Sequence, residues 1–447
     1  MILEADWVLP ITSAPIRGGA VRVVGGLIDD VGQASHLREC HPDDEVTTFH
    51  DAVLLPGFVD AHTHLEYSVF RGFFDNLAFP EWMLAFVGAR KRLSRDDYVA
   101  SALLGAMECV GSGITTVGDT VSHGQAVLEA ARVFGLRTCA FLEVFGMDDA
   151  HIPAVLKNLD DRMERFRGMA TSRTILGVSP HAPYTVSGAL YRALMAYSMG
   201  AGVRMATHVA ESKAEVTFVR NGAGPLAHDF RELVGWENLP WMPTGTSPVK
   251  YLEQWGALDS NLLAIHCVQV SPEDIDVLRE YDVAVAHCPK SNAKLACGIA
   301  PVGELLGAGV RVGIGSDSLA SNNLLDMFGE MRVGILLHRA SQQDTEALQA
   351  EQVLRMATRG GAQVLGLDHL VGSLEEGKRA DIIAVDMEYS HFAPIDDPVS
   401  ALVYGANQED VFFAMIDGEV VYSRKKFQNV DTKEIMERAM TARAKLR

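Results

Sequence analysis

Short, continuous runs of apolar residues recur along the chain and end in polar residues. Runs of this length without alternation are typical of parallel strands that are covered on both faces. The stretches 96–110 and 272–281 have the spacing of helices that would lie between such strands. Eight runs are predicted as strands: 53–60, 114–119, 137–144, 174–180, 203–208, 262–266, 283–287 and 310–316.

Eight strands that alternate with helices predict an α/β fold, the (β/α)8 TIM barrel. The two ends of the chain differ from this middle part, because 19–24, 380–386 and 414–422 are short runs near Gly and Asp turns, and Asp417-Gly418 is typical of a hairpin. Both termini therefore predict a small β-sandwich domain. The predicted domains are 1–54 and 370–425 for the two parts of the β-sandwich, 55–369 for the barrel and 426–447 for a C-terminal helix.

The composition suits one elaborated barrel with a sizeable core, since 48% of the 447 residues are hydrophobic. A net charge of -19, without a basic stripe, argues against a nucleic-acid partner. The six cysteines form no CxxC pair, the N-terminus lacks the features of a signal peptide, and no apolar run is long enough for a membrane span. We expect a cytoplasmic protein without disulfides or membrane contact.

Two long connections, 65–93 and 221–256, are rich in aromatic residues. Long loops at the catalytic face of a barrel bind substrate or form lids, although the same rings can simply pack the loops down. Trp82 is the ring that we predict to face a planar substrate. These loops also allow contacts between subunits, so a homo-oligomer is left open.

Histidine and aspartate residues follow several predicted strands. His62 and His64 are two positions apart, which places both on one side of a strand, and His208 and Asp317 end the fifth and eighth strands. Alone, each is an ordinary turn residue or helix cap. Together, at converging strand ends, three imidazoles and one carboxylate suit zinc or iron. We predict one divalent metal ion, zinc before iron.

Glu211 lies three residues beyond His208 and is the predicted general base. A metal ion brings the pKa of its bound water to roughly 7, and a nearby base must still accept the proton and deliver it to the leaving group. The alternative role for Glu211 is an acid at the start of the next helix. His266, at the end of the sixth strand, is predicted to orient or polarise the water.

His181 ends the fourth predicted strand, where some barrels of this type carry a carboxylated lysine that bridges two ions. No lysine occurs between residues 167 and 213, so a single metal ion is the simpler prediction. His181 is then predicted to contact substrate, with a hydrogen-bonded structural histidine as the alternative. For His287, substrate contact and a scaffold role are both left open.

Six segments of the chain resemble the amidohydrolase superfamily, and the resemblance runs from residue 55 to 381: 57–64, 179–184, 207–212, 265–267, 287–292 and 315–318. The branch that they resemble holds S-adenosylhomocysteine/methylthioadenosine deaminases, guanine deaminase and triazine chlorohydrolases. The resemblance implies that His62, His64, His208 and Asp317 bind the metal. It also implies that Glu211 shuttles the proton, His266 assists, Asp317 takes a proton from the attacking water, and His181 contacts substrate.

Within this branch the similarity is divided. Trp82 and the segments 70–72, 321–323 and 357–362 resemble S-adenosylhomocysteine/methylthioadenosine deaminases, which also have an arginine at the end of strand 3 and a glutamate after the tryptophan loop. This chain has neither; the loop reads Phe-Val-Gly-Ala-Arg-Lys at 86–91. Glu66 and the strand that contains Glu143 instead look similar to 6-aminodeoxyfutalosine deaminases. The predicted substrate-binding residues are Glu66, Trp82, Glu143 and His181.

The expected activity is hydrolytic deamination, with release of ammonia, of a 6-aminopurine nucleoside-like compound of the 6-aminodeoxyfutalosine, methylthioadenosine/S-adenosylhomocysteine or adenosine type. One alternative keeps the metal site but acts as a chlorohydrolase or aminohydrolase on a triazine, pterin or other N-heterocycle. The other alternative is a non-catalytic barrel scaffold. The expected partner is a small-molecule aminated heterocycle or nucleoside.

Overall fold

Two eight-stranded sheets contain all the strands of the chain. The computed structural model describes every residue from Met1 to Arg447. In chain order the strands are β1 Ile2–Val8, β2 Ile16–Val24, β3 Leu27–Gln33, β4 Val46–Pro56, β5 Phe58–Thr63, β6 Ile114–Val121, β7 Arg137–Val144, β8 Thr174–Pro180, β9 Met205–Val209, β10 Leu262–His266, β11 Ala284–His287, β12 Val312–Ile314, β13 Ile382–Asp386, β14 Val411–Ile416, β15 Glu419–Ser423 and β16 Lys426–Phe427.

Seventeen α-helices connect and cover the strands. They are α1 Ala34–Cys40, α2 Phe79–Arg90, α3 Arg95–Gly111, α4 Gly124–Phe134, α5 Ile152–Arg167, α6 Gly188–Ala201, α7 Lys213–Asn221, α8 Asp229–Leu233, α9 Pro248–Gln254, α10 Pro272–Glu280, α11 Pro289–Lys294, α12 Val302–Gly307, α13 Met327–Gln342, α14 Ala350–Arg355, α15 Gly361–Leu365, α16 Pro398–Tyr404 and α17 Thr432–Ala444. None of them combines the length and apolar character needed to cross a membrane.

Strands β5 to β12 pair with one another in chain order and all run parallel. Strands β5, β6 and β7 are buried along their whole length, as expected for a sheet with helices outside and packed side chains inside. The ring closes where Thr63 bridges to Asp317 and the Asp317 amide donates to the His62 carbonyl at 2.8 Å. The predicted (β/α)8 barrel is confirmed.

The second sheet combines strands from both termini in the order β16-β15-β14-β13-β4-β1-β2-β3. Strand β4 from the N-terminal part and β13 from the C-terminal part pair antiparallel in the middle of this sheet. A separate apolar cluster, with Leu3, Leu54 and Ile382 among its members, packs against it. The predicted β domain built from both termini is confirmed, and its strands form one continuous sheet.

The predicted strand 53–60 is divided between the two sheets. Strand β4 continues through Pro56 in the terminal sheet, and β5 begins the barrel at Phe58. The chain crosses between the sheets at Gly57. This residue must be glycine, because a Cβ atom there would lie 2.2 Å from the Thr115 side chain. Both strands are buried on both faces at this point, so no change in hydropathy marks the crossing. The sequence predicted the boundary between the two domains after residue 54, and the chain crosses at Gly57.

Helix α17 packs against α3 and against the 3₁₀ segment Leu65–Phe70 that follows β5. The Arg443 guanidinium donates to the Val69 carbonyl at 2.8 Å, and Lys445 pairs with Asp97 at 2.7 Å. The C-terminal helix therefore supports the connection 65–93, which forms part of the site described next.

Candidate active site

Five polar residues that were predicted from sequence face one another at the carboxyl ends of barrel strands. His62 lies in β5 and His64 just after it, His208 lies in β9, His266 ends β10, and Asp317 follows β12. Alternation along β5 places the side chains of His62 and His64 on the same side. All five residues are buried. The structure therefore brings the predicted metal-binding residues together.

The ligand atoms of these residues are spaced as a divalent metal ion requires. Nε2 of His62 and Nε2 of His64 lie 3.3 Å and 3.6 Å from Oδ1 of Asp317, and Nε2 of His208 lies 3.3 Å from Nε2 of His64. Ligand atoms at about 2.0–2.1 Å from a tetrahedral zinc ion stand about 3.4 Å apart. His62 Nε2 is buried without a hydrogen-bond partner. The spacings fit such an ion in two overlapping groups of three, His62–His64–Asp317 and His62–His208–His266, and the 3.3 Å between His208 and His64 joins the two groups.

Hydrogen bonds on the far side of two imidazoles select the nitrogen that faces the cluster. Nδ1 of His64 lies 3.0 Å from the Thr120 carbonyl oxygen, and Nδ1 of His208 lies 2.9 Å from the His181 carbonyl oxygen. A carbonyl only accepts, so each Nδ1 carries the proton and donates. Each Nε2 is then left with a free lone pair, which is the tautomer that binds a metal ion.

Asp317 is held by two hydroxyl groups and by an unusual backbone conformation. Its Oδ2 accepts hydrogen bonds from Ser291 at 2.5 Å and from Ser321 at 2.7 Å, which leaves Oδ1 to face the histidines. The φ angles of Asp317 and His266 are 60° and 74°. Left-handed conformations are uncommon for residues other than glycine and cluster at functional sites, where the surrounding packing maintains them.

Glu211 lies in the turn between β9 and α7 and shares the same buried space. Its Oε1 lies 3.6 Å from Nε2 of His266, whose Nδ1 is 2.9 Å from Oδ1 of Asn292. The Glu211 amide donates to the Glu215 carboxylate at 2.8 Å, which fixes the turn. Ser212 caps α7 by accepting a hydrogen bond from the Glu215 amide. The Glu211 carboxyl group is therefore not used as the cap of this helix.

Burial sets the protonation states of these groups. It lowers the pKa of His64 and of His266 to about 4, and that of His208 well below 6.5. At neutral pH these imidazoles are neutral, which is the form that binds a metal ion. Burial, together with the negative charge of Asp317, raises the pKa of Glu211 well above 4.5 and favours its protonated form.

A cavity of about 270 Å³ opens beside the cluster. His64, His208, Glu211, His266 and Asp317 line one end of it. Its walls are largely aromatic and contain Tyr67, Trp82, Phe86, Phe145, Tyr184, Phe230 and Trp236. Apolar walls with a few convergent polar groups are typical of sites for small molecules, and flat rings suit a planar ligand.

Trp82, the predicted aromatic contact, lies in the wall of this cavity. Its ring is parallel to that of Phe86, with 5.2 Å between the ring centroids. The indole N–H donates to the Ala320 carbonyl at 3.1 Å. Because Ala320 follows Asp317 closely, this bond holds the tryptophan at the end of the cavity where the ligand cluster lies.

His181 and Glu143, two further predicted contacts, also line the cavity. Nδ1 of His181 lies 2.8 Å from the Thr185 hydroxyl oxygen, and its Nε2 lies 4.0 Å from Oε1 of Glu143. Burial lowers the pKa of His181 to about 3 and raises that of Glu143 to about 7. A neutral imidazole and a carboxyl group that changes charge near neutral pH can both hydrogen-bond a polar ligand.

Glu66, the fourth predicted contact, does not reach the cavity, and this corrects the prediction. Its carboxylate is fully buried and accepts hydrogen bonds from the backbone amides of Ser122 at 3.0 Å and His123 at 2.8 Å. His123 directly precedes α4, so the negative charge lies at the positive end of that helix. The segment after β5 is helical and turns this side chain away from the cavity, which sequence similarity alone does not reveal.

Replacing Glu66 by Gln is expected to reduce the free energy of unfolding by about 1–3 kcal/mol, because an amide has one acceptor oxygen for two buried amides. Burial opposes the charge of Glu66, but the interactions with His123 and the amide of Ser122 together outweigh it and hold the pKa of Glu66 below 4.5. Its stabilisation is therefore present at neutral pH and is lost as the pH falls through that lowered pKa. Urea unfolding at pH 7 and at pH 4 measures the loss, and a raised KM without destabilisation would restore the substrate role.

No role was predicted for Tyr67, Phe86 or Arg90, which line the cavity. Trp82, Phe86 and Arg90 recur at a spacing of four residues, so they share one face of α2. This spacing is the sequence signal that identifies them. His287, in contrast, lies outside the cavity lining and packs edge-on against His338 at 5.7 Å between ring centroids, which favours its scaffold role.

Comparison with known proteins defines the family of this chain. Residues 53–421 match the amidohydrolase family. The chain belongs to the amidohydrolase family. It is 36% identical over 426 residues to the 5-methylthioadenosine/S-adenosylhomocysteine deaminase of Syntrophobacter fumaroxidans, an alignment that covers 94% of this chain and 92% of that protein. It is 34% identical over 435 residues to the 5'-deoxyadenosine deaminase of Methanothermobacter thermautotrophicus, with 96% of each protein covered.

A solved relative shares the architecture of this amidohydrolase. The crystal structure of an adenosine deaminase from Xanthomonas campestris with bound zinc has a TM-score of 0.88 and 28% sequence identity, with 100% of this chain and 98% of that chain covered. The predicted membership of the amidohydrolase superfamily is confirmed. The prediction of a hydrolase that acts on carbon–nitrogen bonds is confirmed by the same comparisons.

Proposed function

We propose that this amidohydrolase is a metal-dependent hydrolytic deaminase of a 6-aminopurine nucleoside-like substrate and that it releases ammonia. The observation that carries the proposal is the position of Glu211. Its buried carboxyl group lies beside His266 and lines the same cavity end as His64, His208 and Asp317. Relatives named as deaminases of methylthioadenosine, S-adenosylhomocysteine and 5'-deoxyadenosine support the substrate class. The barrel, predicted as 55–369, would carry the site.

His62, His64, His208 and Asp317 would hold one divalent metal ion. The ligand set favours zinc, with iron as the second choice, and the zinc-bound adenosine deaminase supports this order. When bound, such an ion makes water nucleophilic near neutral pH. The hydrogen bonds from Ser291 and Ser321 keep Oδ1 of Asp317 directed at the histidines, where it can also take a proton from the attacking water.

Glu211 is assigned the proton transfers at the purine ring. Its protonated carboxyl group donates to the ring nitrogen next to the carbon that water attacks, and the resulting carboxylate accepts a proton from the added water. Asp317 takes the other proton of the added water and passes it to the amino group, which leaves as ammonia. His266, held by Asn292 and 3.6 Å from Glu211, stabilises the charge that develops during the attack.

The flat walls of the cavity would receive the purine, with Trp82 as one face and His181 and Glu143 as hydrogen-bonding groups. The alternative activity, on a triazine or pterin ring, uses the same ligand set and differs in the leaving group and in the loop contacts. Chloride release from a chlorinated triazine would distinguish it from deamination.

The test is an ammonia assay with adenosine, methylthioadenosine, S-adenosylhomocysteine and 6-aminodeoxyfutalosine. We expect at least one of them to release one ammonia per product, and a chelator to reduce the rate by at least about 100-fold, because activation of water depends on the ion. Added zinc or iron should restore the rate. If the metal-loaded protein releases no ammonia from any of the four, the purine assignment is wrong.

A further inference from the structure

Arg90 is the single lysine or arginine among the residues that line the cavity. It is the last residue of α2 and is partly buried. The Tyr98 hydroxyl donates to the Arg90 carbonyl at 2.7 Å and so fixes the end of the helix. The other charged residues of the lining are acidic, namely Glu143, Glu211 and Asp317, apart from the buried histidines. The cavity thus has one permanent positive charge, at a fixed place.

The guanidinium of Arg90 has no carboxylate within ion-pair distance; the Tyr67 hydroxyl is close enough to hydrogen-bond with it, and Glu143 acts on it electrostatically. The neighbouring Arg162 differs, because its guanidinium donates to the Glu143 carbonyl at 2.7 Å and to that of Val121 at 3.4 Å. A cation that is partly removed from water gains most from an anionic partner that can take two of its N–H groups. Apart from its interaction with Tyr67, the guanidinium of Arg90 therefore has N–H groups that remain free to bind an anionic ligand in the cavity.

The position of Arg90 defines which part of a ligand it would meet. Trp82, Phe86 and Arg90 share one face of α2, and Trp82 is held at the end of the cavity near Asp317 by its bond to Ala320. A helix rises about 1.5 Å per residue, so the backbone of Arg90 lies about 12 Å farther along this face than that of Trp82. The charge of Arg90 acts on His181 and Glu143, so its guanidinium lies near these two lining residues. A substrate whose reacting ring lies near Asp317 would meet Arg90 with the substituent of that ring.

We propose that Arg90 selects substrates that carry a carboxylate on the substituent remote from the reacting ring. This inference rests on the proposed deaminase function. A guanidinium pairs with a carboxylate through two parallel hydrogen bonds. A phosphate would bind in the same way, but its second negative charge would be repelled by Glu143, which is partly ionised at neutral pH because burial raises its pKa to about 7, so a monoanion is favoured.

The test compares Arg90→Gln with substrates that have and lack the carboxylate. S-adenosylhomocysteine and 6-aminodeoxyfutalosine carry one, and methylthioadenosine is the neutral counterpart. The variant is expected to raise KM for a carboxylate-bearing substrate by about 10- to 100-fold, the effect of losing a charged hydrogen bond, with kcat and the KM for methylthioadenosine nearly unchanged. Arg90→Lys should give a smaller rise. Lys91→Gln removes an exposed charge from the next residue and is expected to have no effect.

Binding is measured separately from turnover, so that the two proposals fail differently. Calorimetry measures the affinity of S-adenosylhomocysteine for the Glu211→Gln variant and for the double variant Glu211→Gln/Arg90→Gln. The double variant should bind about 10- to 100-fold more weakly, which is the effect of one charged hydrogen bond. If Arg90→Gln weakens the binding of neutral and carboxylate-bearing compounds equally, Arg90 is a positioning residue and the inference is wrong. Tighter binding of adenosine monophosphate than of the carboxylate-bearing compounds would also overturn it. Selective loss of binding without ammonia release would overturn only the deaminase function.

Discussion

Replacing Glu211 by Gln is expected to reduce kcat for ammonia release by about 100- to 10,000-fold, the usual contribution of a positioned acid–base group. The amide has the size of the carboxyl group but can neither accept nor deliver the proton. Glu211 is buried, and the turn that holds it depends on its backbone amide and on Glu215, so the substitution should leave the turn intact. Steady-state kinetics with the best substrate of the panel provide the measurement.

Metal content distinguishes a lost acid–base group from a lost ligand. The Glu211→Gln protein should contain as much metal as the unmodified protein, because the ligand set consists of other residues. Asp317→Asn is the contrasting variant, since its carboxylate lies 3.3 Å from His62 Nε2, and it should lose both metal and activity. A loss of kcat smaller than about 10-fold would lie below the smallest usual acid–base contribution, which is about 100-fold. In that case a residue other than Glu211 transfers the proton.

The ligand cluster could be predicted from sequence because its position depends on the barrel alone. His62, His64, His208 and Asp317 each follow a recognisable apolar run, and parallel strands of a closed barrel end at one face. Small errors at the strand ends do not matter for such a prediction. The run 310–316, for example, contains only Val312–Ile314 as a regular strand, and Asp317 still follows it.

The substrate side of the cavity could not be predicted in the same way. Its walls come from the connection 65–93, where a side chain's direction depends on the helical register of the segment. Glu66 lies two residues beyond His64, yet its carboxylate is directed at the start of α4. Arg90, at the end of α2, faces the cavity because four-residue spacing continues from Trp82. Similarity to relatives preserves the residue type but does not report this direction.

The contact between the barrel and the terminal sheet depends on a buried ion pair. Arg137, at the start of β7, is 3% exposed and donates to Asp381 through Nε at 3.2 Å and Nη2 at 3.0 Å. Asp381 also accepts from the Asp417 amide at 2.8 Å, and its carbonyl accepts from Gly57 at 2.9 Å. Four chain segments that are distant in sequence thus meet at Asp381, through its carboxylate and its backbone carbonyl, and this residue directly precedes β13.

Replacing Asp381 by Ala is expected to reduce the free energy of unfolding by about 3 kcal/mol, because removal of one partner leaves the charge of Arg137 buried with only Asp417 to compensate it. Glu419→Gln is the matched control: Glu419 also pairs with an arginine, but its side chain is 72% exposed, so the loss should stay below about 1 kcal/mol. Denaturant unfolding of both variants, followed by tryptophan fluorescence, measures the difference. Equal effects of the two substitutions would mean that the Arg137–Asp381 pair does not determine how strongly the terminal sheet holds to the barrel.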